Sequence, residues 1–217
     1  NSVEKLASIP GVQSASIAST VPFGFITLGR PVQRAGLRPA KDAKPSTAAE
    51  GLAFDARYNS IGADYFPTLG LRVLRGRAFT AAECEQPGAP KVAIIDEELA
   101  KKLWPEGDAL GQRIQYANAD AARAPGGAAG GGAVSANESI AAKPDDAGTI
   151  EIVGIVPTIR TSLLSKNQGK AIYVPFAQGY QGTVQFHVRP ANPAPGSAAA
   201  LLDAVRHLRA GTLPARA

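Results

Sequence analysis

Apolar and polar positions along this chain follow two rhythms. Between Thr183 and Arg189 they alternate strictly, with Val184, Phe186 and Val188 on one side and Gln185, His187 and Arg189 on the other. That is the pattern of a strand with one buried and one wet face. Val92 to Ile95 and Ile150 to Val156 (IEIVGIV) are unbroken apolar runs, long enough for buried strands. Ala171 to Val174 (AIYV) is another, ended by Pro175, and Leu52 to Asn59 (LAFDARYN) alternates well enough for a strand. Val12 to Ser19 (VQSASIAS) predicts a weaker strand of small residues, suited to lie close to a helix.

The second rhythm is helical. Val3, Leu6 and Ala7 predict a first helix reaching Ile9, ended by Pro10-Gly11. Gly62-Ala63-Asp64 opens a short turn with Tyr65, Phe66 and Leu69 on its apolar side, and Gly70 stops it. Asp96 is a natural N-cap, followed by Glu97 and Glu98 in the first turn and Lys101 and Lys102 in the last, an order that complements the helix dipole. Their i,i+4 pairing adds about 0.2–0.5 kcal/mol each. Leu99 and Leu103 share one face, and Trp104 precedes Pro105, where helix becomes unfavourable. Ser197 caps a last helix carrying Leu201, Leu202, Val205 and Leu208, ended by Gly211 and Pro214.

Between these elements the chain is polar. Residues 29–51 are Pro-rich and predict irregular structure with at most one strand near Pro31 to Arg34. A Glu/Pro/Gly loop follows Thr80. Residues 117–149 contain almost no large apolar side chain, so ordering them is not offset by burial, and they predict a flexible Gly/Ala-rich insertion. Its GGAAGGG run is not followed by GK[ST] and is no phosphate loop.

Composition narrows the class. The 217 residues are 45% hydrophobic and 19% charged, proportions of a soluble globular domain. No apolar run approaches the roughly 20 residues needed to cross a bilayer. The first residues have no apolar h-region, and the chain contains no Met, so it reads as a piece of a longer protein. Cys84 stands alone, which excludes an intramolecular disulfide and predicts a partly exposed loop thiol. A net charge of +5, densest at Arg72, Arg75 and Arg77, raises a free-standing basic lipid- or nucleic-acid-binding module as the alternative reading. No stacking aromatics interleave those arginines, so a solvated strand face is expected and no nucleic-acid partner.

Catalytic chemistry has no candidate. The histidines His187 and His207 fall on polar faces without zinc-ligand spacing, and Asp96-Glu97-Glu98 is better explained as a helix start than as a cation site. Asp145-Asp146 borders the insertion. The aromatics Tyr58, Tyr65, Phe66, Phe79, Trp104, Tyr173 and Phe176 are candidate core. No catalytic, cofactor-binding or metal-binding residue is assigned, and no cofactor.

The ends of the chain mirror each other: helix then strand at the start, strand then helix at the finish. They predict one split β-α-β layer with the middle inserted into it. In order, DYFPTLGLRVLRGRAFT (64–80), VAIIDEELAKKLWPEGDALGQRI (92–114), IEIVGIV (150–156) and AIYVPFAQ (171–178) resemble the MacB-like periplasmic core domain of MacB/FtsX-type ABC-transporter permeases, with a gap at the Gly/Ala insertion. The set is similar to acidobacterial-type permeases in which the unit is duplicated. The resemblance implies an α+β fold, with a discontinuous porter-like subdomain (1–28 and 180–217) and an inserted, mostly-β, Sabre-like subdomain (29–179). It also implies a non-catalytic periplasmic domain of an inner-membrane permease that couples cytoplasmic ATP hydrolysis to export or mechanotransmission. The implied partners are a cytoplasmic ABC ATPase, reached through transmembrane helices, a second permease copy or half, and a periplasmic adaptor.

Overall fold

The computed structural model describes residues 2–24, 28–37, 44–117, 148–159, 169–179, 184–192, 199, 201 and 202. Strand β5 (Val92–Asp96) is buried at every position. An apolar strand without a polar face must lie between neighbours and layers. It pairs parallel with β7 (Ile150–Val156) and antiparallel with β8 (Ala171–Pro175). Its last residue starts the next element: Asp96 Oδ1 accepts from the Leu99 amide at 2.9 Å, capping α4 (Glu97–Leu103). Leu99 and Leu103 are fully buried, as their spacing predicts. The half-buried Trp104 packs at the edge of that core, with the Arg34 guanidinium 5.2 Å from its ring centre.

The strand pairings close on themselves. β2 (Leu28–Arg34) pairs with both β3 (Phe54–Ile61) and β6 (Arg113–Tyr116). From β6 the circuit runs through β7, β5 and β8, and β8 returns in parallel to β3. A closed circuit leaves no edge to template aggregation. Every one of these strands contributes to one core cluster, including Val32, Tyr58, Ile95, Ile114, Ile152 and Ile172, with the leucines of α4. A register shift opposite Val153 keeps both Ile152 and Ile155 in that cluster although they are three apart. Fully burying an Ile or Leu contributes about 1.5–3 kcal/mol, so this ring carries much of the fold's stability. The alternate residues Val92, Ile94, Val153 and Tyr173 join a second cluster with Phe66 and Phe79.

Two short helices and one small strand cover this second face. In α2 (Tyr65–Thr68) Tyr65 and Phe66 are buried. β4 (Arg75–Gly76) lies on β7, with Gly76 opposite Gly154. Gly76 has φ +75°, and a Cβ there would stand 2.2 Å from the Val153 carbonyl oxygen, so only glycine fits.

The arginines expected on a solvated strand face are in part ion-paired. Arg75 meets Asp108, and Arg77 forms a two-pronged bond to Glu83 at 2.9 and 2.7 Å, while Arg72 is exposed. The stretch after Thr80 is not all loop. Thr80 and Glu83 form a reciprocal capping box that starts α3 (Ala81–Glu85). Cys84 is therefore not a partly exposed loop thiol: it is 8% exposed on that helix, and its sulfur lies 3.5 Å from the Ile61 carbonyl oxygen.

The first and last strands of the described residues come together outside the ring. β1 (Val12–Ala18) and β9 (Gln185–Pro190) pair antiparallel over most of their length. α1 (Ser2–Ala7), slightly shorter than its pattern suggests, packs on both and buries Leu6. The faces of β9 do not divide into one buried and one wet side as expected: Val188 and His187 are both half-buried, and Phe186 and Arg189 both exposed. Phe186 is 50% exposed, whereas His187 stands edge-on to the Tyr65 ring at 5.2 Å and Arg189 donates to the Pro67 carbonyl at 3.1 Å. Tyr65 of α2 half-covers His187, and the Pro67 carbonyl, which also accepts from the Gly70 amide, takes the bond from the exposed Arg189. Residues 199, 201 and 202 are helical, while the rest of the Ser197 helix and positions 118–147 lie outside the described residues.

Candidate functional site

One place joins the β1–β9 pair to the ring. β1 meets β3 through a single register pair, Ala18 opposite Ile61, and one side chain reinforces it. Asn59 lies near the end of β3 and is 7% exposed. Its Oδ1 accepts from the Ser19 amide (3.1 Å), the Ser19 hydroxyl (2.9 Å) and the Thr20 amide (3.0 Å). Its Nδ2 donates to the Thr20 carbonyl and the Tyr65 hydroxyl, both at 3.3 Å. Every hydrogen-bonding capacity of the amide is used, which fixes its orientation. Around it, the Ser60 amide donates to the Ser19 hydroxyl at 3.0 Å, and the Ser19 and Gly62 amides donate to Ser60 and Ile17 carbonyls at 2.9 Å. A Cβ on Gly62 would stand 2.9 Å from Ser16 Oγ, so the two layers have no slack there.

The joint is polar where the sheets on either side are apolar. It borders a cavity of about 50 Å³ lined by Thr20, Val21, Arg57, Asn59, Tyr65 and Tyr173, among others. Burial pushes the Tyr65 hydroxyl up to about 12, against the opposing effect of the Asn59 hydrogen bond and the Arg57 charge. Burial also raises Tyr173 well above the usual phenol range. Both hydroxyls keep their protons at any physiological pH.

The residues screened for chemistry are placed apart. Burial holds His187 below its ordinary range, and its Nε2 is buried without a partner among the described residues. The Cys84 thiol is pushed up to about 12 by burial, so it is no nucleophile at neutral pH. Asp96 is fully buried and raised by burial, with Oδ1 on the Leu99 amide and Oδ2 accepting from Thr158 Oγ1 at 3.2 Å. Among the described residues no group of three His, Cys, Asp or Glu could hold a metal ion, and no helix is long and apolar enough to cross a membrane. His207 and Asp145-Asp146 lie outside the described residues. Asn59 itself gave no signal in sequence, where it reads only as the polar end of an alternating strand.

An α+β domain results, in which a closed strand ring carries a two-stranded layer of β1 and β9. The family model of the MacB-like periplasmic core domain matches residues 8–207. The periplasmic region of MacB from Actinobacillus actinomycetemcomitans superposes with a TM-score of 0.56 at 14% identity, covering 97% of this chain and 73% of that one. The extracellular domain of the ABC-type transporter YknZ from Gram-positive bacteria gives a TM-score of 0.50 at 16% identity, covering 97% and 82%. No curated protein matches by sequence. The chain belongs to the MacB-like periplasmic core domain family. It is thus the periplasmic domain of a MacB-like ABC-transporter permease.

Proposed function

We propose that this domain is a non-catalytic relay, coupling ATP hydrolysis in a cytoplasmic partner to export or mechanical signalling outside the membrane. In this reading the two chain ends, 1–28 and 180–217, form a porter-like layer continuous with the membrane-anchored part of an inner-membrane permease. Residues 29–179 form the Sabre-like unit inserted into it. A cytoplasmic ABC ATPase, a second permease copy or half, and a periplasmic adaptor are the partners such a relay serves.

The observation that carries the reading is the joint. Displacement of β1 and β9 reaches the closed ring through Ala18, Ile61 and the Asn59 network, with α2 bracing β9. A ring without an edge moves as a unit, because deforming it breaks pairings on both sides of every strand. The groups that could perform chemistry are committed to structure: Asp96 to a helix cap and Cys84 to the core. The basic-module alternative draws no support from Arg75 and Arg77, whose charges are paired.

The test uses the complete permease with its ATPase in proteoliposomes. Asn59→Ala is expected to lower substrate exported per ATP hydrolysed while hydrolysis itself continues. Export and hydrolysis falling in the same proportion, or neither changing, contradicts the relay.

A further inference from the structure

We propose that the cavity beside Asn59 binds the carboxylate of a small amphiphile, with Arg57 as its cation and the Thr20–Gly24 turn as its apolar rim. This site stands whether or not the joint transmits motion. Arg57 projects from β3 and uses Nη2 on the Ile159 carbonyl at 3.2 Å. Its Nε is buried, and among the described residues it has no hydrogen-bond partner and forms no ion pair. A guanidinium is seldom left so, because a buried donor without an acceptor is costly. Asp96 acts on Arg57 only through space, its oxygens being engaged by Leu99 and Thr158.

The remaining polar lining is rich in donors. Tyr65 accepts from Asn59 Nδ2, which leaves its own O–H to donate. Tyr173 lines the same cavity and brings a second protonated phenol. Among the described residues no carboxylate lines the cavity. A guanidinium fork with two neutral phenols is the donor set that a planar carboxylate matches. The space, about 50 Å³, exceeds the roughly 10–15 Å³ one water needs, so it admits a group of a few atoms.

The rim fixes the rest of the ligand. Val21, Pro22 and Leu28 line the cavity, and Val21 and Phe23 expose 37% and 58% of their surface. Phe23 is held at φ +61°, a conformation rare for an aromatic residue, which presents its ring outward. A polar, cationic floor beneath an apolar lip suits a monocarboxylate with a hydrocarbon body.

Calorimetric titration of the 217-residue chain with monomeric octanoate tests this, with octanol and inorganic phosphate as comparisons. Octanoate is expected to saturate one site, with octanol and phosphate at least tenfold weaker. Arg57→Gln is expected to weaken octanoate about tenfold or more, and Tyr173→Phe severalfold, since a charged hydrogen bond is lost in each. Equal binding of octanol would reduce the site to an apolar patch, and equal binding of phosphate to a general anion site; either overturns the proposal. So does an absence of octanoate binding, the cavity then holding water only. If Arg57→Gln loses its native circular dichroism, Tyr173→Phe decides, and unchanged octanoate affinity in it overturns the assignment.

Discussion

Replacing Asn59 by Ala should unfasten one layer without melting the other. The substitution removes five hydrogen bonds. The Ser19 amide keeps the Ser60 carbonyl, but the Ser19 hydroxyl loses its acceptor, the Thr20 amide its partner and the Tyr65 hydroxyl its donor. Thr20 is half-buried and borders the cavity, where water can replace what it loses. Ser19 and Tyr65 are buried and cannot be compensated so easily. At about 1–2 kcal/mol for each buried group left unmade, the loss is about 2–4 kcal/mol. Urea unfolding gives the total, and amide hydrogen exchange gives its location. If β1 and β9 open separately, their amides should exchange about 30- to 700-fold faster, since each 1.4 kcal/mol is tenfold. Amides of β5 and β7 should keep their protection. Uniform loss across both layers, or a change below about 0.5 kcal/mol, would refute the idea that Asn59 is the fastening.

Other consequences are simpler. Cys84 should not react with a thiol reagent at pH 8 until the chain unfolds, because its pKa is raised to about 12 and its side chain is buried; rapid labelling of native protein would place it elsewhere. Glu83 is held below its ordinary value chiefly by its hydrogen bond to Arg77, so the ionised form is the one the fold prefers. Its contribution is present above the unfolded carboxyl range near 4.5 and is lost as pH falls through the lowered folded value. Glu83→Gln should cost about 1 kcal/mol at pH 7 and flatten the acid limb of stability against pH; an unchanged limb contradicts the assignment. Trp104→Ala should cost about 1–3 kcal/mol in urea unfolding, less than a fully buried ring, because the indole is half-buried over Arg34.

Local signals translated well into local structure. The apolar run at Val92, the Asp96 cap and the leucine spacing of α4 agree with one another, and the segment folds as it reads. The α+β class was legible for the same reason. Less was legible where the deciding partner is distant. The sequence of β9 alternates, but its faces do not separate into buried and wet, because α2, more than a hundred residues away, meets His187 and Arg189 on the polar side. The closed circuit depends on β2 finding both β3 and β6, which no window of sequence displays. The capping box Thr80-Ala81-Ala82-Glu83 was in plain view, yet the Pro and Gly that follow dominate the composition of the segment. Asn59 is the extreme case, for its function rests on donors at Ser19 and Thr20 that chain order keeps about forty residues distant.

A covalent staple across the joint tests the relay most directly. Ala18 and Ile61 are register partners, and cysteines at opposed antiparallel positions fall within the range a disulfide spans. In the complete permease, with Cys84 replaced by Ala, the staple is added to Asn59→Ala and export per ATP is measured before and after oxidation. The relay predicts that export per ATP is low when the staple is reduced and recovers towards the unsubstituted level when it closes. Export that stays low with the disulfide formed would contradict the claim that this joint carries the motion.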